Sequence, residues 1–361
     1  MATTANGAFC GAGLSALGWN ESRVTELAAL GDAALRPARV SRVDRGGCLV
    51  VAVDGPGRAT YGAGALRTAV CTGDWVALRD WPDGHTTVEV VLTRETLVQR
   101  LEVSPGGSRS QPLAANVDVV VVVEGAVPDP DLGRIERLLA LAWESGAEPL
   151  VVLTKADLAG TSIDVLLDDA GAVAPGTEVH AVDAVRGKGI DAIAGHLRTG
   201  RTAVLLGASG VGKSSLANAL AGYQAMATRT LRADGRGRHT TVARELLALP
   251  GGAVLLDTPG LRSIGINVAA DAVERVFADI TELAGSCRFA DCAHDAEPGC
   301  GVRAALDDGR LSERRFASWH KLRREAVYQR AKADARLRSE RRRQRSDRER
   351  ETRQARRRAR P

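Results

Sequence analysis

The chain has 361 residues, 44% of them hydrophobic, which is long enough for two or three domains with apolar cores. No apolar run approaches the roughly 20 residues of a membrane-spanning helix, and the start, MATTANGAFCGAG, lacks the pattern of a secretion signal. We therefore expect a cytoplasmic protein with no membrane partner. The net charge of +5 is uneven, because residues 321–361 carry 18 Lys or Arg and only 6 Asp or Glu. Such a basic tail on an acidic body favours a polyanion, RNA rather than a membrane surface.

The N-terminal third predicts a short extension followed by a small barrel. Residues 1–37 contain one amphipathic segment and otherwise suggest a loosely ordered extension. Residues 38–103 contain five short strand patterns separated by Gly, Pro and Asp-Gly turns, which is typical of a barrel such as an OB-fold. The segment lacks the interleaved aromatic residues of a nucleic-acid stacking platform, so docking on protein or RNA by shape remains open. We interpret SPGGSRSQP, residues 104–112, as a flexible linker.

A central α/β domain is predicted over residues 113–265. Asn116–Val123 is a continuous β-branched run, typical of a strand that is buried on both faces of a parallel sheet. A helical pattern at Leu132–Ser145 and a second apolar strand at Pro149–Leu153 continue a βαβ alternation.

The second of these strands ends in the tetrad Thr154-Lys155-Ala156-Asp157. An aspartate at such a strand end accepts two hydrogen bonds from guanine, whereas adenine would leave the carboxylate unpaired. Taken alone, the tetrad fits the start of a helix equally well. The loop Val182–Gly189 follows at the place of a second guanine-supporting loop, with Asp183 where a serine is usual.

A phosphate-binding loop comes next. The apolar run Ala203–Leu206 leads into glycines and then into a helical pattern, which is the context that a P-loop requires. Its backbone N–H groups would bind phosphate, Lys213 would neutralise the β- and γ-phosphates, and Ser214 would ligate Mg²⁺. An ordinary glycine-rich turn is the alternative. The predicted loop comprises Gly207, Ala208, Ser209, Gly210, Val211, Gly212, Lys213, Ser214 and Ser215.

Two further segments predict the switches of a nucleotide-hydrolysing enzyme. The polar stretch that ends in GRHTT supplies Thr240 or Thr241 as a second Mg²⁺ ligand. In DTPG, Asp257 would reach Mg²⁺ through water and the Gly260 N–H would reach the γ-phosphate. Leu261 follows, where many such enzymes have a water-orienting glutamine. His239 is our candidate for that role; the alternative is that it contacts rRNA.

The order of the motifs indicates a circular permutation. Ordinary GTPases place the P-loop first and the guanine tetrad last, but here Thr154 precedes Gly207. The polypeptide that leaves Asp257-Thr258-Pro259-Gly260 therefore enters the C-terminal region directly.

The C-terminal region predicts a structural zinc site. Three cysteines and one histidine at this spacing fit a closed tetrahedral Zn²⁺ site, and reduced core cysteines are the alternative. Residues 266–330 would form this zinc-binding helical domain, and residues 331–361 an arginine-rich tail. The predicted zinc ligands are Cys287, Cys292, His294 and Cys300.

After a small barrel come TKAD, GASGVGKSS, GRHTT, DTPGL and CRFADCAHDAEPGC, in that order. In the order of these motifs the chain resembles the ribosome small-subunit-dependent GTPase A family. The resemblance covers about residues 38–330 and implies an OB-fold barrel, a circularly permuted P-loop GTPase domain and an α-helical zinc-binding domain. It also implies GTP hydrolysis with Mg²⁺, stimulated by the 30S subunit during that subunit's late maturation, with rRNA contact. We expect a monomer. The alternatives are a P-loop ATPase, kinase or RNA-binding protein acting outside ribosome assembly, and an rRNA-binding module that does not hydrolyse nucleotide.

Overall fold

The computed structural model describes residues 13–63, 65, 68–104, 107–159, 162–226, 245–257 and 269–331. The chain divides into two compact units, the first formed by residues 1–266 and 275–278 and the second by residues 267–274 and 279–361. Among the helices within the described ranges, none has the length and apolarity of a membrane span.

The first unit begins with the predicted barrel. Its strands are β1 (Leu35–Asp44), β2 (Gly47–Ala52), β3 (Gly55–Tyr61), β4 (Trp75–Asp80) and β5 (Thr86–Val91), and they close in the order β1-β2-β3-β5-β4. The alternating apolar residues of these strands face inward, as the period of two requires. The barrel core is therefore aliphatic, and it includes Val40, Val50, Val76, Leu78 and Val88.

The described part of the predicted N-terminal extension, from residue 13 onward, packs against the barrel and is not loosely ordered. A short 3₁₀ helix at Leu14–Leu17 precedes α1 (Glu21–Ala29), and Leu17 is only 1% exposed. The buried Arg39 of β1 donates to the carbonyl oxygens of Leu17 and, at 3.0 Å, of Asn116. A guanidinium has several donors in one plane, so a single side chain satisfies carbonyl groups from separate segments. The amphipathic signal was visible in the sequence, but its buried arginine partner was not.

The predicted linker at 104–112 is wrong, because most of it forms a strand. Strand β6 (Leu97–Ser104) pairs antiparallel with β7 (Gly107–Ala115), from Leu97 opposite Ala115 to Ser104 opposite Gly107. Antiparallel pairing depends on backbone groups, so small and polar residues can sustain a hairpin without an apolar alternation. Residues 105 and 106, which join the two strands, lie outside the described residues.

The remainder of the first unit is the predicted α/β sheet, in the order β10-β9-β8-β11-β13-β12. All neighbours pair in parallel except β12, which runs antiparallel to β13. The valine run of β8 is fully buried, which agrees with a central parallel strand. The strands are β8 (Val119–Gly125), β9 (Glu148–Thr154), β10 (Val179–Val182), β11 (Thr202–Leu206), β12 (Glu245–Ala248) and β13 (Val254–Asp257). The helices are α2 (Leu132–Ser145), α3 (Ala156–Ala159), α4 (Ile163–Val173), α5 (Ile190–His196) and α6 (Lys213–Ala221).

The described C-terminal region is helical, as predicted. Its helices are α7 (Ala270–Val276), α8 (Ala278–Ala284), α9 (Gly301–Asp307) and α10, which covers residues 313–331. Within the second unit, the buried Arg315 of α10 donates to both carboxylate oxygens of Asp279, at 3.0 and 2.7 Å. This two-pronged contact fixes the start of α10 against α8.

Candidate functional site

The loop between β11 and α6 has the backbone of a phosphate-binding loop. A Cβ on Gly207 would lie 2.1 Å from the carbonyl oxygen of Val123, so only glycine allows this close approach to β8. Gly212 has a φ of +100°, a left-handed conformation that side chains disfavour, at the point where α6 begins. Lys213 Nζ donates to the carbonyl oxygens of Gly207 and Ala208 at 2.8 and 2.6 Å. The ammonium group thus lies across the loop, while the first turn of α6 holds Ser214 and Ser215.

The guanine tetrad lies directly beside this loop. Thr154 ends β9 and is 1% exposed, and its hydroxyl contacts the carbonyl oxygens of Glu124, at 3.2 Å, and of Val211. Lys155 has a φ of +59°, after which Ala156 and Asp157 begin α3. Two motifs more than 50 positions apart are therefore joined through one buried threonine.

The turn after β10 approaches Asp157 through an arginine. Arg186 Nη1 lies 3.5 Å from a carboxylate oxygen of Asp157 and 3.1 Å from one of Asp183. The other oxygen of Asp183 accepts from the backbone N–H groups of Val185 and Arg186, both at 3.0 Å. Those hydrogen bonds hold the pKa of Asp183 below its usual value, and the one from the Arg186 N–H contributes most. Burial acts in the opposite direction. Asp183 thus shapes the turn itself, which explains an aspartate where a serine was expected.

Glu124 is a residue of this site that the sequence analysis missed. It ends the valine run of β8, is 5% exposed and pairs with Arg134 at 3.1 Å. Burial raises the pKa of Glu124, and the charges of Arg134 and Lys213 act in the opposite direction. The signal that would have found it is a carboxylate at the carboxyl end of an otherwise apolar strand, the edge where ligands of α/β sheets bind.

The Mg²⁺ residues are described only in part. Asp257 ends β13, which pairs in parallel with β11, so its backbone lies at the same sheet edge as the P-loop. The Ser214 hydroxyl and an aspartate carboxylate are the hard oxygen donors that Mg²⁺ prefers. His239, Thr240, Thr241 and Gly260 lie outside the described residues.

The predicted zinc ligands come together in the second unit. Cys287 Sγ lies 3.9 Å from Cys300 Sγ, and His294 Nδ1 lies 3.5 and 3.4 Å from these two sulfurs. With Cys292, all four ligand atoms lie within 4.8 Å of one another. Metal bonds of about 2.3 Å to sulfur and about 2.0 Å to nitrogen give tetrahedral edges of roughly 3.5 to 3.8 Å. The observed separations therefore fit one Zn²⁺ ion.

The surroundings of the cluster also suit a cation. Desolvation, and then the neighbouring cysteine sulfurs, raise the pKa of Cys292 to about 11, so a bound cation would have to displace the proton of this thiol. Burial lowers the pKa of His294 and keeps the imidazole neutral, which is the form that ligates metal. Backbone N–H groups of Gly301 and Arg303 point at the sulfurs of Cys287 and Cys300 at 3.3 and 3.4 Å. This set of donors could hold one zinc ion.

Comparison with known proteins agrees with this geometry. The family model described as RsgA GTPase matches residues 91–267. The small ribosomal subunit biogenesis GTPase RsgA of Streptomyces coelicolor is 52% identical over 335 residues, covering 91% of this chain and 90% of the relative. The homologue from Opitutus terrae is 40% identical and covers 89% of this chain and 92% of its own length.

Solved structures give the same fold. YjeQ from Thermotoga maritima matches with a TM-score of 0.60 and 26% identity, over 81% of this chain and 99% of its own. YloQ, a circularly permuted GTPase, matches with a TM-score of 0.55 and 23% identity, over 82% and 96%. The predicted fold class is thereby confirmed, with a closed N-terminal barrel, a circularly permuted α/β GTPase domain and a helical region that carries a Cys₃His cluster. From its identity to curated relatives over nine-tenths of its length, the chain belongs to the RsgA family of GTPases.

Proposed function

We propose that this protein binds the 30S ribosomal subunit and acts in its late maturation, hydrolysing GTP to GDP and phosphate with stimulation by the subunit. The observation that carries the proposal is the contact of Thr154 with the backbone of the P-loop, which joins a guanine tetrad to a phosphate loop in the permuted order. The name of the Streptomyces relative, a small ribosomal subunit biogenesis GTPase, supports the partner.

In the proposed site, residues 154–157 recognise guanine and residues 207–215 hold the phosphates. Asp157 accepts from the base, and Arg186 has to share or release that carboxylate when guanine binds, since it lies 3.5 Å away in this structure. Lys213 exchanges its two loop carbonyl partners for phosphate oxygens. Bound Mg²⁺ supplies neutralisation of the phosphate charge, and Ser214, Asp257 and Thr240 or Thr241 are its proposed ligands.

The chemical step is attack of a water oxygen on the γ-phosphorus, with cleavage of the bond to the β–γ bridging oxygen, which leaves with GDP. One hydrogen of the water stays on the oxygen that becomes part of inorganic phosphate, and the other proton passes to a phosphate oxygen, so the products are GDP and protonated inorganic phosphate. Leu261 has no group that orients water, so the free protein should be a slow enzyme. We assign this orienting role to His239, brought over the γ-phosphate when the subunit orders the segment around it.

The other segments of the chain contact the subunit or stabilise the fold. The barrel, residues 38–103, and the helical domain, residues 266–330, dock on the subunit, while the tail, residues 331–361, contacts rRNA phosphates. The GTPase domain spans residues 113–265 and follows an N-terminal extension, residues 1–37. One structural zinc holds the helical domain, and the protein acts as a cytoplasmic monomer.

The test is GTP turnover measured with and without purified 30S subunits, with ATP as the competing nucleotide. We expect slow hydrolysis alone, strong stimulation by 30S and no effect of 50S subunits. Failure to hydrolyse GTP even with 30S subunits would leave a non-hydrolysing RNA-binding module, and equal use of ATP would leave a general P-loop NTPase.

A further inference from the structure

Two of the six histidines of the chain meet on one carboxylate, away from every site described above. Glu178 Oε2 lies 3.2 Å from His180 Nε2 and 3.4 Å from His196 Nε2. The three ligand atoms lie within 4.8 Å of one another, and the imidazole rings are tilted by 58° instead of stacked. No motif spacing indicates this group, because Glu178 immediately precedes β10, His180 lies in β10 and His196 ends α5.

The geometry points to a second metal site, and we propose that Glu178, His180 and His196 bind a divalent transition-metal ion, Zn²⁺ in preference to Mg²⁺ or Ca²⁺. Metal bonds of about 2.0 to 2.2 Å to nitrogen and oxygen give tetrahedral edges of roughly 3.4 Å, which match the two measured separations. Two imidazoles and one carboxylate favour zinc, copper or nickel, since Mg²⁺ and Ca²⁺ take oxygen ligands.

The site is open, unlike the Cys₃His cluster. The side chains of His180 and His196 are 25% and 20% exposed and that of Glu178 is 66% exposed, so water completes the coordination. We therefore assign it an exchangeable ion whose occupancy follows free zinc, instead of a permanent structural metal.

The position of the site in the fold means that a bound ion would restrain the segment from β10 to α5. Glu178 and His180 lie at the start of β10, the edge strand of the sheet, and His196 ends α5. Between them the chain makes the turn that is shaped by Asp183 and carries Arg186. An ion that joins the two ends of this β10–turn–α5 segment restrains the segment as a whole, because it closes a covalent loop of backbone with a metal bridge.

Zinc per chain, measured by equilibrium dialysis of the full-length protein against a micromolar free-zinc buffer, tests the proposal. We expect wild type to bind one equivalent more than His196→Ala, His180→Ala or Glu178→Gln. The matched control is His85→Ala, since His85 also contacts a carboxylate, Asp83, but has no second histidine beside it among the residues that the structure describes. Circular dichroism and thermal unfolding without added zinc verify that each variant folds.

Equal zinc content in wild type and His196→Ala would overturn the proposal. Loss of one zinc equivalent in the His85→Ala control would overturn it as well. In either case, Glu178, His180 and His196 would form only a hydrogen-bonded group. Co²⁺ gives a second measurement when it is added to protein that keeps zinc at the Cys₃His cluster but has been dialysed free of exchangeable zinc. We expect weak visible d–d bands that disappear in His196→Ala, with no sulfur-to-cobalt charge transfer. Appearance of that charge-transfer band would place the ion at the cysteines and contradict the assignment. The proposal does not depend on GTP hydrolysis or on the ribosome, so its failure leaves the proposed function unaffected.

Discussion

Asp157 is the side chain on which base selection should depend. Its carboxylate can accept from both the ring N–H and the exocyclic amine of guanine, whereas an asparagine amide would point a donor at a donor. We expect Asp157→Asn to weaken GTP binding by a mismatch of about 1–3 kcal/mol, roughly 5- to 150-fold, and to relax the preference for GTP over ATP. Titration with fluorescent GTP and ATP analogues measures both affinities. Asp164→Asn, an exposed change on α4, is the control, and an unchanged GTP-to-ATP ratio in Asp157→Asn would refute the assignment.

His239 has to act after binding if it orients the attacking water. We expect His239→Ala to bind GTP and the 30S subunit normally but to lose most of the subunit-stimulated turnover, about 100-fold for a positioned acid–base group. Single-turnover hydrolysis at saturating 30S measures this step, with His85→Ala as the control for loss of a surface imidazole. Weaker subunit binding with unchanged turnover in the bound complex would instead make His239 an rRNA contact.

The barrel should lose stability at alkaline pH because the Cys48 thiol is buried and the Tyr61 side chain is half-buried. Burial raises the pKa of the Cys48 thiol from 9.0 to about 12, and that of Tyr61, which donates to the Gly47 carbonyl at 2.7 Å, from 10.0 to about 12. Both groups hold their protons longer in the folded state, so the stability they contribute is complete below about pH 9 and is lost as the pH rises toward 12.

Denaturant unfolding across this range checks the sign. We expect the free energy of unfolding to fall less steeply with pH in Cys48→Ala and in Tyr61→Phe than in wild type. Burial lowers the pKa of Arg39 to about 10, which makes the free energy of unfolding rise with pH in this range. The slope of each variant is therefore compared with that of wild type. Tyr223→Phe, at a half-exposed position, is the control; a slope as steep in Cys48→Ala as in wild type would contradict the expectation.

The Cys₃His cluster should determine whether the helical region folds. His294 has a φ of +67°, a strained conformation for a side-chain-bearing residue, and the metal is what would compensate for it. We expect Cys300→Ser to lose one zinc per chain and to expose α9 and α10 to protease, whereas Cys71→Ser, at a buried cysteine of the first unit, keeps its zinc. Metal analysis and limited proteolysis measure the two effects. Wild-type protein purified without chelator but with less than one zinc would argue against the site.

At the scale of elements, patterns that repeat along the chain were readable and contacts between distant segments were not. The β-branched run Asn116–Val123 and the apolar runs Pro149–Leu153 and Ala203–Leu206 predicted β8, β9 and β11, because burial on both faces leaves a composition that few other elements share. The pairing of β6 with β7 was not predicted, because backbone hydrogen bonds between two strands do not require a particular side-chain pattern. The contact of Thr154 with the P-loop was not predicted, although it agrees with the rule that parallel strands end at one sheet edge. The group of Glu178, His180 and His196 was not predicted either, since no rule relates a strand start to the end of the next helix.

For the whole molecule, the permutation leaves a short covalent path from the nucleotide edge to the helical region. Strand β13 ends at Asp257 and α7 begins at Ala270, so only 12 residues separate them. In the unpermuted order, the tetrad and its loop would intervene. Residues 258–269 are therefore the direct covalent link between the predicted nucleotide edge and the helical region.

The arginine tail should set the salt dependence of 30S binding. Deleting residues 339–361 removes 11 arginines and 4 acidic residues. Each phosphate contact releases counterions and contributes about −0.7 to −0.9 to the slope of log affinity against log salt. We expect the truncated protein to bind the subunit more weakly at low salt and to show a slope shallower by several units. Filter binding or sedimentation across a salt series measures it. A scrambled tail of the same composition should restore the slope, because counterion release depends on charge and not on order. An identical slope without the tail would show that rRNA phosphates are contacted elsewhere.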